Sequence, residues 1–346
     1  MTGVLSIVAA ILAVSLLIVI HEAGHFLAAR ASGMRVERFS VGFGPVVLCL
    51  RRGETEFAIS ALPLGGYVKI SGMSPGEDDR AGDPQLFSNQ PAWRRFLVIL
   101  AGPVMNYLAA ILVAWGLAAT LGLRTPDPAA RVGALVAGMP AEAAGLRPGD
   151  RIDAVAGVPV DSWDTLVREV QRHPGEEISL DVARGEGERV TLRLIPRDDG
   201  GVGRAGFQRA AVLVRTAPGR ALVEAFDRTN AFAAQQLGAF TSLFSKRQAV
   251  EGPIGIARGL VRGAREGVEP FLSLVWIISV ALAILNLLPV PALDGGRLVF
   301  LAYEIVTRRR VNQRVEGMLH FAGFVLLMGL ILAVTIFGDL PRLFGR

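Results

Sequence analysis

The run VLSIVAAILAVSLLIVIHEAGHFLAA, residues 4–29, decides the fold. Its first seventeen residues carry no charge, and a helix of roughly 20 apolar residues crosses about 30 Å of hydrocarbon. It then takes in His21, Glu22 and His25. A carboxylate at that depth costs roughly 2.5–3.5 kcal/mol unless it is partnered or hydrated, so a functional role is the default. A signal peptide would carry Lys or Arg before Val4 and a small-residue cleavage site after the apolar run; neither pattern is met.

Three further runs have the length of a span. Residues 96–123 follow Trp93-Arg94-Arg95; residues 271–293 end at Asp294; residues 317–338 follow Thr307-Arg308-Arg309-Arg310 and Arg314. With 51% hydrophobic and 19% charged residues and a mean hydropathy of +0.44, the chain is expected to be a polytopic α-helical membrane protein with four transmembrane helices. Its net charge of +5 comes from arginines beside apolar segments, which is the signature of membrane orientation and not of a nucleic-acid partner. The positive-inside rule places the Arg-rich loops in the cytoplasm, and both termini and the long segment between spans two and three outside. The expected partner surface is the lipid bilayer. One cysteine, Cys49, permits no internal disulfide and no cysteine zinc site, so any metal must be held by carboxylates and by the four histidines His21, His25, His173 and His320.

Between spans two and three the composition becomes that of a soluble domain, from about residue 131 to 197. Short β-like runs at 133–136, 178–183 and 190–195 flank a helix-like stretch at 163–171. The stretch MPAEAAGLRPGDRI, residues 139–152, resembles the signature of bacterial PDZ domains. That resemblance implies an extracytoplasmic α+β domain whose groove takes an extended peptide or a new C-terminus by strand addition. From 221 to 245 the pattern is amphipathic and helical, with Leu222, Phe226, Phe232, Phe240 and Phe244 against Arg228, Asn230 and Gln235. Such a helix either lies on the outer membrane surface or packs under the PDZ-like domain. The expected division is 1–124 for the first half of a membrane core, 125–200 for the PDZ-like domain, 201–265 for an amphipathic connection and 266–346 for the second half of the core.

His21-Glu22-Ala23-Gly24-His25 fits H-E-x-x-H. Histidines one helical turn apart present ring nitrogens to one metal, and the adjacent glutamate serves as general base. A catalytic zinc usually takes three protein ligands. Asp294, in Asn286-Leu287-Leu288-Pro289-Val290-Pro291-Ala292-Leu293-Asp294-Gly295-Gly296, lies at the same end of its span as His25 does of the first. Pro289 and Pro291 interrupt the helix there, and irregular backbone at membrane depth is tolerated where it is buried in protein or lines a wet cavity. His320 is a weaker candidate, and Glu304 would serve in a different class of membrane H-E-x-x-H protease. A non-catalytic membrane adaptor displaying a PDZ domain is the remaining alternative.

Taken together, His21-Glu22-Ala23-Gly24-His25-Phe26, Ala101-Gly102-Pro103-Val104-Met105-Asn106 and the Asn286–Gly296 run resemble the site-2 protease family of intramembrane zinc metalloproteases, in its bacterial RseP-like branch with one PDZ domain. Leu64-Gly65-Gly66-Tyr67-Val68-Lys69-Ile70 is similar to that family's cytoplasmic membrane-associated β-hairpin. The resemblance implies Zn2+ held by His21, His25 and Asp294, Glu22 as catalytic base, and Asn286 holding substrate backbone. It also implies substrates that are single-pass membrane proteins, such as anti-sigma factors already trimmed outside or remnant signal peptides, cut in the bacterial inner membrane. Gly65, Gly66, Tyr67, Val68, Lys69 and Ile70 are expected to offer a free strand edge to the substrate, because an opened transmembrane helix needs replacement partners for its peptide groups.

Overall fold

Apolar runs of span length form helices, and among its described residues the computed structural model has four that are long and apolar enough to cross a membrane: Gly3–Ala31 (α1), Ala92–Thr120 (α2), Val268–Leu287 (α7) and Arg314–Asp339. The structure describes residues 3–73, 82–185, 187–242 and 252–343. They fall into two compact units, Met1–Ala119 with Ala217–Arg346, and Thr120–Thr216.

In the first unit α1 leads into two long antiparallel strands, β1 (Val36–Arg52) and β2 (Thr55–Ile70). The pair folds back on itself: Phe39 lies opposite Val68 and also opposite Phe57, while Leu50 lies opposite Phe57 on the far side. The last stretch of β2 runs beside α1, with the Ser15 hydroxyl donating to the Pro63 carbonyl and the Val68 amide donating to Glu22. Val46, Val47, Leu48, Leu50, Ile59 and Leu62 on the outer part of the sheet remain exposed. Ala29, Val36, Ile70, Val98, Ile99 and Leu298 close a core around the inner part.

The third span stops at Leu287, six residues short of the expected 293. Pro289 forces its predecessor Leu288 into extended backbone (ψ 142°), and the chain leaves the helix there. A separate helix, α8 (Asp294–Thr307), follows the proline loop and precedes α9 (Gln313–Ala333) and a π-helical turn, Val334–Asp339. Asp339 is fully buried and accepts from the amides of Gly252, Ile254 and Gly255, so it caps α6 (Pro253–Glu266). The amphipathic stretch forms α5 (Pro218–Ser242), and Phe244 lies outside the described residues. Ala225 and Phe232 pack on Ala110, Ala114 and Trp276, against spans two and three, and the Trp276 indole donates to Thr229.

The second unit holds the short strands β3 (Leu123–Pro126) and β4 (Val132–Leu135), one-turn α3 (Pro140–Ala143), β5 (Arg151–Val155), β6 (Val158–Pro159), α4 (Trp163–Gln171), β7 (Ile178–Arg184), β8 (Glu188–Leu194), β9 (Arg197–Asp198), β10 (Gly203–Arg204), β11 (Phe207–Arg209) and β12 (Ala211–Val214). Its main sheet has the order β6-β5-β7-β8; Leu180 and Val182 alternate inward along β7, and Ile152 and Val155, on either side of an irregularity in β5, join them in one core with Leu166 and Val170 of α4. β11 pairs with β4 and β12 with β3. Residues 203–214 therefore belong to this unit, and not to the connection expected at 201–265; pairs this distant in sequence leave no local trace.

Candidate active site

The helical repeat sets His21 and His25 on one face of α1, and both are nearly buried, at 9% and 5% exposure. Their Nε2 atoms lie 3.2 Å apart. Asp294, at the start of α8, brings Oδ2 to 3.0 Å from His21 Nε2 and 3.3 Å from His25 Nε2. These ligand atoms all lie within 4.8 Å of one another and form the one His/Cys/Asp/Glu metal-type cluster among the described residues.

The donor set fits a metal ion. Asp294 Oδ2 is buried and has no hydrogen-bonded partner, although two ring nitrogens stand close by. His25 Nδ1 sits 2.8 Å from the Val98 carbonyl, so its proton is spent there and the Nε2 lone pair points at the cluster. His21 Nδ1 lies 3.4 Å from Asn106 Nδ2, and the Asn106 oxygen has no hydrogen-bonded partner among the described residues. Partners decide which end of an amide faces a ring, and an Asn106 oxygen accepting Nδ1–H leaves His21 Nε2 free as well. Two imidazole lone pairs and one carboxylate oxygen then converge on one point, a donor set suited to Zn2+.

The second span makes this convergence possible. A Cβ on Gly102 would stand 2.4 Å from His25 Nε2 and 2.8 Å from His21 Cε1, and one on Gly24 would stand 2.3 Å from the Ala101 carbonyl. Both helices need glycine at their crossing. Pro103, inside α2, cannot donate to Ile99, and the turn it loosens is the one whose Val98 carbonyl takes the His25 proton. The Ser279 hydroxyl donates 2.8 Å to the Asn106 carbonyl and ties α7 to the same turn. Sequence reasoning gave no role to Gly102 or Asn106. A buried asparagine in an apolar span was the available signal.

The loop carrying Asp294 is braced from several sides. Ala292 has φ 82°, rare for a residue with a side chain, and its amide donates 3.0 Å to His320 Nδ1. His320 thus supports the loop and stands outside the ligand cluster. A Cβ on Gly295 would meet the Leu288 carbonyl at 2.0 Å, and one on Gly296 the Val290 carbonyl at 2.5 Å. Glu304 is engaged elsewhere, 2.6 Å from Arg95 and 3.5 Å from Arg310. Asn286 sits half-buried in the last turn of α7.

Glu22 Oε2 accepts the Val68 amide at 3.1 Å. That corrects the expectation of a free donor at this position, since the edge of β2 faces α1. Gly65 has φ 96° and, with Gly66, is buried; a Cβ on Gly66 would meet the Ser40 carbonyl at 2.6 Å. Tyr67 stacks on Phe43 and accepts from Arg38, Lys69 pairs with Glu37 at 2.9 Å, and Ile70 is 1% exposed.

Comparison with known proteins agrees with this architecture. The Regulator of sigma-E protease RseP of Escherichia coli is 31% identical, over 96% of this chain and 98% of that protein. The zinc metalloprotease RasP of Shouchella clausii is 29% identical over 96% and 97%. A protein of Fusobacterium nucleatum named as a zinc metalloprotease is 33% identical over 97% and 98%. A PDZ domain from Listeria monocytogenes covers 25% of the chain at 16% identity and TM-score 0.22, too slight to assign the fold of 120–216. Residues 9–330 match peptidase family M50. With that match over most of its length, the chain belongs to peptidase family M50, the site-2 class of membrane zinc metalloproteases.

Proposed function

We propose that the chain is an intramembrane endopeptidase in which His21, His25 and Asp294 hold the zinc and Glu22 is the general base. The observation that carries the assignment is the meeting of His21 Nε2, His25 Nε2 and an otherwise unpartnered Asp294 oxygen. A zinc ion there supplies a Lewis acid that polarises the scissile carbonyl and acidifies water. Glu22 takes a proton at its carboxylate and returns it to the leaving amine, and the Val68 amide holds one of its oxygens for that task.

The substrates are transmembrane segments of single-pass membrane proteins, including anti-sigma factors trimmed outside and signal-peptide remnants. Such a segment must open from helix to strand before a carbonyl can be attacked. Gly65–Ile70, whose Val68 amide reaches Glu22, and Asn286, in the last turn of α7 ahead of the Asp294 loop, are assigned to hold the opened strand. Since Val68 N–H already serves Glu22, main-chain pairing on this segment falls to its neighbours. Arginine placement supports a cytoplasmic active-site side, with 120–216 outside in the bacterial inner membrane as a PDZ-like domain that takes an extended peptide or gates bulky substrates.

The test compares membrane proteomes with wild-type and Glu22→Gln protein, alongside zinc content of both. Glu22→Gln is expected to retain zinc and lose roughly 10²–10⁴-fold in cleavage rate, whereas Asp294→Ala loses metal. Full zinc occupancy in Asp294→Ala removes the ligand assignment.

A further inference from the structure

A cavity of about 730 Å³ opens between α8, the first turns of α9 and the start of α2. None of His21, Glu22, His25 or Asp294 lines it. Four arginines do: Arg95, Arg297, Arg310 and Arg314. Among the described residues that line it, two carboxylates answer them, with Glu304 shared between Arg95 (2.6 Å) and Arg310 (3.5 Å), and Glu316 standing 3.7 Å from Arg297. Four guanidinium groups against two lining carboxylates leave the described lining with a surplus of positive charge. Charge alone would suit any small anion.

The walls narrow the choice. Arg314 opens the fourth span, and Arg95 lies in the first turn of the second, so both cations stand where their helices enter the apolar region. On α9, Arg314, Met318 and Phe321 follow at i, i+4 and i+7 and form one stripe, charged at the helix start and apolar below. Met318 and Phe321 are each 69% exposed, so the cavity is open on its α9 side. Phe300 of α8 faces it as well. A cation cluster at headgroup level above an open apolar wall matches an amphiphile with an anionic head and a hydrocarbon tail.

We propose that this cavity binds one anionic phospholipid, its phosphodiester between Arg310 and Arg314 and its upper acyl chain along Met318 and Phe321. The bound lipid bridges α8, whose first residue is Asp294, to α9, whose His320 braces the Ala292 amide. Its recognition does not depend on the protease assignment, and the test does not read activity.

The experiment uses the full chain in neutral detergent, with lipid adducts counted by native mass spectrometry and thermal unfolding followed in parallel. Dioctanoyl phosphatidylglycerol, dioctanoyl phosphatidylcholine and inorganic phosphate are titrated separately. One saturable phosphatidylglycerol adduct is expected, at least about tenfold tighter than phosphatidylcholine, with no competition from millimolar phosphate. Arg310→Gln with Arg314→Gln is expected to weaken it about thirtyfold, two losses of roughly fivefold each. Arg310→Lys with Arg314→Lys retains most of the binding, and Met318→Ser with Phe321→Ser weakens the lipid while leaving the unfolding temperature of the lipid-free protein near wild type. Equal binding of the two lipids, full competition by phosphate, displacement by an acidic peptide at equal concentration, or an unchanged affinity in the double glutamine variant would each overturn the proposal.

Discussion

Gly102 shows how little room the site leaves. A single added methyl group there would stand 2.4 Å from His25 Nε2 and 2.8 Å from His21 Cε1. Gly102→Ala is expected to lower zinc affinity by about 10–100-fold, the usual range for supporting groups around a metal ligand, measured by competition with a chromogenic chelator. Asn106→Ala is expected to fall in the same range through its loss of the His21 contact; an unchanged affinity would show that His21 needs no such support. Asp150 illustrates a different kind of residue. It is the aspartate of the PDZ-like signature, 2% exposed, bonded to Arg184 at 2.8 and 3.0 Å and to the Arg147 amide at 2.9 Å. Burial pushes its pKa up, but the Arg184 and Arg147 hydrogen bonds outweigh burial and hold it below the ordinary value. A depressed carboxylate contributes stability that is complete above its unfolded value of about 3.9 and is lost as pH falls through the folded value. Asp150→Asn should therefore destabilise the 120–216 unit by ~1–3 kcal/mol at pH 7, with the deficit shrinking toward pH 3. Thermal unfolding of the whole chain, resolved by hydrogen exchange, checks this, and a deficit independent of pH would rule out the ionic origin.

Among the elements, β2 has the largest bearing on function. α1 lies beside its last stretch and meets two of its backbone groups, the Ser15 hydroxyl donating to the Pro63 carbonyl and the Val68 amide donating to the carboxylate of Glu22. Val68→Pro removes that donor while the preceding Tyr67 stays in the extended backbone that proline demands. If the amide serves Glu22, kcat falls with KM and zinc content unchanged, and Val68→Ala behaves as wild type. A rise in KM alone would mean that the amide belongs to the substrate strand.

At the scale of the whole molecule, the pairing of β3 with β12 marks where the second unit leaves the membrane core. Leu123 lies directly opposite Val214 in that ladder, so the chain enters and exits the unit at adjacent points. Replacing 124–213 by a short flexible linker is expected to leave zinc binding intact and to permit cleavage of substrates with untrimmed outer domains. Excising 131–197 instead would remove β4 and leave its partner β11 unpaired, and should lower the yield of folded protein. Zinc content and membrane yield of the two deletions decide between these boundaries, and equal yields would count against the longer unit.

The sequence by itself determined what depends on local spacing. Residues 4–29 had to be a helix that buries two histidines and a glutamate, and a four-residue separation had to put His21 and His25 on one face. Pro289 and Pro291 had to interrupt the helix of the third span, while its end at Leu287, short of the expected 293, came from the structure. The meeting of Asp294 with the histidines was only one arrangement among those the spacing allowed, and family resemblance ranked it ahead of Glu304 and His320. Only the tertiary structure decided what comes from helices crossing: Val98 and Asn106 behind the two rings, Gly102 in the gap between helices, Val68 N–H on Glu22, α5 against spans two and three, and 203–214 completing the sheets of the second unit. A local period records which face of an element is apolar. It carries no information about which distant backbone carbonyl, amide or strand will fill that face, because those partners are selected by packing of the whole chain.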